Sequence, residues 1–166
     1  MNIRRADKSD FNAMWPIFQA VVASGSTYNF APDTDHLIAF EYWFNEGATS
    51  YVAEDDGVVL GMYKVLANQR DQGAHVANAA FMVDPKCSGR GIGKLMGLHC
   101  LKEAKKMGFK AMQFNFVVST NEGAVSLWKK LGFVVVGQLP KAFLHQDLGF
   151  VDAYVMHRFL DDIEAN

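Results

Sequence analysis

The residues whose spacing carries the most chemistry are Ser88-Gly89-Arg90-Gly91-Ile92-Gly93-Lys94. Three alternating glycines strip side chains from a tight loop, so successive backbone N–H groups can converge on one anion. The loop follows an apolar run, 76–83, and opens a run of helical spacing, 92–107. It therefore lies at the positive end of a helix dipole. Arg90 and Lys94 add cations there, so a phosphate cradle is expected in preference to a flexible glycine-rich surface turn. Two familiar cradles are excluded. A Walker loop needs Gly-x-x-x-x-Gly-Lys-Ser/Thr, but position 88 is serine and Leu95 follows Lys94. A dinucleotide fingerprint needs a third glycine where Lys94 or Met96 stands.

Other residues stand out by type. Asn78 interrupts an apolar strand, Val76-Ala77-Asn78-Ala79-Ala80-Phe81, and a buried amide must be satisfied by backbone or face a ligand. Tyr28 and Phe30 sit in a polar loop, 24–33, where they either shape a ligand pocket or anchor the loop in the core. Asn121 falls at a capping position. Trp128, at helical spacing, reads as core. His75 lies in the opposite pleat phase to Asn78, and His145 reads as a surface residue.

These residues need elements to hold them. A short strand at 3–6 leads to a helix capped by Asp7 or Ser9, with Pro16 inside it as a kink or a shortened first turn. Thr34 is expected to cap a second helix carrying Leu37, Ile38, Phe40, Trp43 and Phe44 and stopped by Gly47. Strands at 50–54 and 58–66 flank Asp55-Asp56-Gly57, a hairpin turn. A strand at 75–83, the glycine loop, the helix at 92–107 and a strand at 111–118 make a βαβ crossover. Ser119-Thr120-Asn121-Glu122 has capping-box spacing for a helix closing at Leu131-Gly132. A strand at 133–136, a loop at 139–149 and a strand at 151–157 follow. The expected fold is a mixed α/β domain over 1–166, with about seven strands and helices on both faces of the sheet.

Composition narrows the class. The chain has 166 residues, half of them hydrophobic, and a net charge of −2 without runs of like charge. A nucleic-acid partner is disfavoured. No apolar run approaches membrane-spanning length, and Arg4-Arg5 has no apolar stretch behind it as a signal peptide would. Cys87 and Cys100 make neither a disulfide framework nor a metal site, so a reducing cytoplasm and no metal are expected.

The chain resembles the GNAT superfamily of N-acetyltransferases. The resemblance rests on Val83-x-Pro85 followed by Ser88 to Gly93, and on Asn121-x-Gly123-Ala124-Val125-x-Leu127-Trp128-x-Lys130-Leu131-Gly132-Phe133. It implies a sheet splayed between strands 76–83 and 111–118, with the pantetheine arm of acetyl-CoA in the cleft. Ser88, Gly89, Arg90, Gly91, Ile92, Gly93 and Lys94 would hold the pyrophosphate. Asn121 and Trp128 would line the CoA channel, and backbone N–H groups at Met82 and Val83 would stabilise the oxyanion. Within the superfamily the chain is similar to phosphinothricin acetyltransferases and to enzymes acting on proline analogues such as azetidine-2-carboxylate.

The resemblance implies acetyl transfer to a small amine, an amino acid or an analogue, by direct attack in a ternary complex. Asn78 and Asn121 are the implied catalytic-site residues, and Tyr28, Phe30 and Asn78 the implied substrate contacts. Two departures bear on mechanism. Many relatives carry Tyr where Trp128 stands, and phosphinothricin-type enzymes carry Glu where Asn78 stands. Neither Trp nor Asn is a usable acid or base. Proton transfer is then assigned to water, with Ser119, Thr120 or Ser126 as relays. A homodimer is the assembly that relatives suggest. The competing readings are a non-catalytic acetyl-CoA-binding regulator and a peptide N-terminal acetyltransferase.

Overall fold

The computed structural model describes residues 1–164; the last two positions of the expected 1–166 domain lie outside the described residues. The helices are α1 (Phe11–Ala23), α2 (His36–Phe44), α3 (Ile92–Lys106) and α4 (Glu122–Lys130). The strands are β1 (Asn2–Arg5), β2 (Thr49–Asp55), β3 (Val58–Ala67), β4 (Val76–Val83), β5 (Ala111–Val118), β6 (Val134–His145) and β7 (Gly149–Phe159). They form one seven-stranded sheet in the order β1-β2-β3-β4-β5-β7-β6, the mixed α/β architecture expected from sequence.

Pleat parity assigns the faces. Val52, Met62 and Met82 point to one side, where they pack with Phe11, Met14 and Phe18 of α1 and with Ala39 and Trp43 of α2. Ala53, Tyr63, Ala77 and Met112 point to the other, under Met96, Cys100 and Leu101 of α3 and Val125 and Trp128 of α4. Both faces of β3 are covered, and its central residues, 60–65, are all buried.

Several local expectations shift. Asp35, not Thr34, caps α2: its carboxylate accepts from Ile38 N–H at 2.9 Å, while the Thr34 hydroxyl donates to the Ala31 carbonyl. Leu37 and Ile38 face solvent, and Ala39 and Trp43 hold α2 to the sheet. Helix α1 begins after a single 3-10 turn, Lys8–Asp10, capped by Asp7. It runs through Pro16, which sits on its exposed side between the buried Met14 and Ile17.

The largest difference is at 139–149, expected as a loop. There β6 continues to His145 and pairs with β7 up to His145 opposite Gly149. Pro140 and Lys141, the latter at φ 52°, lie in a register shift between Leu139 and Phe143. Asp152 bridges that irregularity, accepting from Lys141 N–H at 2.8 Å and from Gln138 Nε2 at 2.5 Å. A bulge thus absorbs residues that read as a strand breaker.

Candidate active site

The two parallel strands at the centre of the sheet pair at only two positions, Val76 with Ala111 and Ala77 with Met112, and then part. On its other edge β5 shifts register against β7 between Phe114 and Val117. The bulge adds twist there, carrying the second half of β5 away from β4. Alternation fixes which groups of β4 face the gap. Val76 C=O and Asp84 N–H bond towards β3, so even-numbered backbone groups such as those of Met82 turn that way. Odd-numbered groups, those of Ala79, Phe81 and Val83, face the gap.

At one end of the gap lies the glycine loop. Asp84 caps a short turn, Pro85–Cys87, by accepting from Lys86 N–H. Gly89 and Gly91 both have φ near +80°, at 79° and 78°, and Gly91 is the residue from which α3 starts. A Cβ at either position would meet no atom within 4 Å, so it is the left-handed backbone, not crowding, that calls for glycine. No side chain caps α3 among the described residues, so its first N–H groups are left for a ligand. Ser88, Arg90 and Lys94 are exposed around them. Arg90 makes a long pairing with Asp55, at 3.9 Å, and donates to Cys87 Sγ at 3.6 Å, both weak contacts that leave its charge exposed. Geometry and charge both fit a pyrophosphate.

The gap opens into a cavity of about 450 Å³ lined on the β4 side by Asn78 and Phe81, on the β5 side by Phe114 and Phe116, and across its mouth by Tyr28 and Phe30. Tyr28 is an anchor as well as a wall. Its hydroxyl donates to the Phe81 carbonyl at 2.6 Å and accepts from Phe81 N–H at 3.0 Å, filling the place where β5 would pair. Burial keeps that phenol protonated, far above its ordinary range. Phe30 packs edge-on against Phe18 and Tyr42 while still lining the cavity.

Asn78 lies on the α1/α2 face of the sheet and lines the cavity. Its Oδ1 accepts from Ala79 N–H at 2.8 Å, and no protein acceptor takes its NH₂ among the described residues. Asn121 caps α4 through Oδ1 to Ala124 N–H at 3.2 Å and lines the same cavity. Trp128 packs at 4.8 Å from Phe81 and 4.7 Å from Phe114, between ring centroids, and forms part of the wall. Met82 is buried against α1, and Val83 borders α3. Ser119, Thr120 and Ser126 do not line the cavity. His145 accepts from the N–H groups of Asp147 and Leu148 and so closes the β6–β7 turn.

Sequence reasoning passed over two cavity residues, Lys64 and Tyr42. Lys64 is 5% exposed, on the same face of β3 as Asn78 is of β4, two pairs along the ladder. Its Nζ donates to the Tyr42 carbonyl at 2.5 Å and lies 3.4 Å from the centre of the Tyr42 ring. Burial pulls its ammonium down to about 8 and pushes the Tyr42 phenol up to about 12. A lone lysine in the apolar run 58–66 was the available signal.

This arrangement can be compared with known proteins. The profile of the acetyltransferase (GNAT) family matches residues 11–133. The L-amino acid N-acyltransferase MnaT of Escherichia coli is 32% identical over 146 residues, covering 85% of this chain and 84% of that protein. The chain spans about half, 51%, of the length of another curated relative, the N-acetyltransferase aca1 of Schizosaccharomyces pombe. A GCN5-related N-acetyltransferase from Kribbella flavida superposes with a TM-score of 0.90 at 41% identity, covering 95% of this chain and 96% of the other. A Salmonella typhimurium protein solved with its cofactor acetyl-CoA gives 0.83 at 26% identity, over 100% and 97% of the two chains. By family profile, relatives and fold together, the chain belongs to the acetyltransferase (GNAT) family.

Proposed function

We propose that the protein transfers an acetyl group from acetyl-CoA to a small amine, an amino acid or an amino-acid analogue. The observation that carries this reading is the gap between β4 and β5. One end meets the uncapped start of α3, and the other opens beside Asn78 and Lys64. The relatives named for L-amino acid acylation and for acetyl-CoA binding support it.

Acetyl-CoA supplies an activated acyl group as a thioester, and the chain supplies position. Residues 88–94 hold the pyrophosphate through backbone N–H groups, with Arg90 and Lys94 neutralising charge. Asn121, Trp128 and Phe114 flank the channel. Val83 N–H, directed into the gap by alternation, is the donor for a developing oxyanion. Asn78 offers its NH₂ to the acceptor. No carboxylate lines the cavity among the described residues, so orientation, with water taking the proton, carries the rate. The thiols Cys87 and Cys100 are free, consistent with work in a reducing cytoplasm.

The test is thiol release from acetyl-CoA over a panel of azetidine-2-carboxylate, proline, methionine, phosphinothricin, the common amino acids and short peptides. Turnover confined to small carboxylate-bearing amines is expected. Asn78→Ala should lower kcat/KM by about tenfold to a hundredfold, the worth of a hydrogen bond to a charged or reacting group. Binding of acetyl-CoA without turnover of any amine would instead indicate a regulator, and turnover of peptides alone an N-terminal acetyltransferase.

A further inference from the structure

Every ionisable group that lines the cavity is a phenol, Tyr28 or Tyr42, or the Lys64 ammonium. The two phenols are held protonated by burial, so they are neutral across the physiological range. The cavity therefore holds one cation and, among the described residues, no anion to match it. A lysine 95% removed from solvent is ordinarily paired with a carboxylate. Lys64 forms no such ion pair among the described residues; it is held by a carbonyl and a ring face instead.

A structural role accounts for part of this. Tyr42 and Trp43 belong to the last turn of α2, whose carbonyls have no partner within the helix. Lys64 Nζ takes the Tyr42 carbonyl, and the Ser50 hydroxyl takes the Trp43 carbonyl at 2.6 Å. Ser50 shows that a neutral hydroxyl suffices for such a cap. An ammonium has three donors and a full charge; the Tyr42 carbonyl takes one donor and the Tyr42 ring face lies against the group as well. The remaining donor capacity belongs to a group that lines the cavity on the face where Asn78 presents its free NH₂. Lys64 pairs with Ala80 and Leu66 with Asn78, so the two side chains are diagonal neighbours on one face. At that spacing, about 7 Å between Cβ atoms, they can close on one small ligand.

We infer that Lys64 is the specificity-determining residue of the acceptor site: its ammonium binds the carboxylate of the amine substrate, the missing counter-ion of the cavity. The inference rests on the acetyltransferase reading for the identity of the ligand as acceptor. Tyr42 fixes the direction of the ammonium through its carbonyl and its ring, so the donors are organised before the ligand arrives. An amine without an anionic group leaves the charge buried and unmatched, which is a penalty against the wrong substrate.

The experiment compares wild type, Lys64→Met and Lys64→Arg on matched pairs, L-methionine with L-methioninamide and azetidine-2-carboxylate with its carboxamide. Both kcat and KM are measured by thiol release, and equilibrium binding by calorimetry in the presence of CoA. The wild type should favour the acid over the amide, and Lys64→Met should erase that ratio through a rise in KM of about 10- to 100-fold for the acid, the worth of a charge-assisted hydrogen bond. Lys64→Arg should restore most of it. Three results would overturn the proposal: no acid preference in the wild type, an acid preference that survives in Lys64→Met, or a fall in kcat shared by acid and amide with loss of a pH limb near 8, which would make Lys64 a base. Should the wild type bind acetyl-CoA and turn over nothing, the acetyltransferase reading fails by itself. The acid-to-amide ratio in calorimetry then still decides the role of Lys64.

Discussion

Burying an ammonium without a carboxylate costs stability, and at Lys64 the cost has a definite pH signature. Its pKa falls from 10.5 unfolded to about 8 folded. Between those limits the unfolded chain holds a proton that the folded chain has released, so this group's contribution to stability rises with pH across that window. Below about pH 8 the penalty is present in full, on the order of 3 kcal/mol at most. Lys64→Met should therefore be more stable than wild type at pH 7, by about 1–3 kcal/mol, with the gap closing as pH rises towards 10.5. Urea unfolding at two pH values checks this; a variant less stable at pH 7 would assign the residue to capping α2 alone. Asn78 was conspicuous in the sequence because an amide in an alanine-rich strand has no reason to be there except a partner. Lys64 was equally alone in its strand but drew no attention, since a long charged stem in a strand ordinarily reaches water. What covers its ammonium is Tyr42 in the last turn of α2, and no local pattern announces that contact.

At the scale of elements, the strand–loop–helix unit from β4 to α3 was legible because its chemistry is local: glycines, a proline and a helical period lie next to each other. The conformation of Gly91 makes that unit testable. Alanine there meets no steric clash but must adopt φ near 78°, at a cost of about 1–2 kcal/mol. Gly91→Ala should be destabilised by that amount in urea unfolding and should bind acetyl-CoA more weakly, because the strain relaxes by turning N–H groups out of the cradle. Unchanged affinity would remove the loop from the pyrophosphate site. Close approach explains a different glycine, Gly97, where a Cβ would sit 2.6 Å from Leu131 Cδ1 and 3.2 Å from the Trp128 ring. That contact lets α3 and α4 meet beside the cavity wall. Strand β6 was less legible for the opposite reason. Pro140 breaks the local pattern, and the pairing that overrides it comes from Asp152 on β7, twelve positions beyond the proline.

At the scale of the whole molecule, the sheet is two antiparallel sets of strands, β1 to β4 and β5 to β7, joined directly by only two paired positions between β4 and β5. The crossover through α3 and the side chains over the gap do the rest, among them the rings of Phe81 on β4 and Phe114 on β5, 6.1 Å apart between centroids. A ligand lying in the gap contacts both sets and binds only the folded state. Acetyl-CoA at a hundredfold excess over its dissociation constant should then stabilise the protein by about 2.7 kcal/mol, visible as a rise in Tm. The location of that gain separates this mechanism from simple mass action. Amide hydrogens of β4 and β5 that face the gap, Val83 first, lack a strand partner in the free protein and should exchange readily. Those between β2 and β3, paired from Thr49 opposite Val65 to Asp55 opposite Val58 with one irregularity at Ala53/Glu54, should be protected from the outset. Added acetyl-CoA should slow exchange most at Val83, at residues 114–116 and at the first N–H groups of α3. Protection spread evenly over all seven strands would mean that the ligand binds elsewhere and stabilises the fold without closing its central gap.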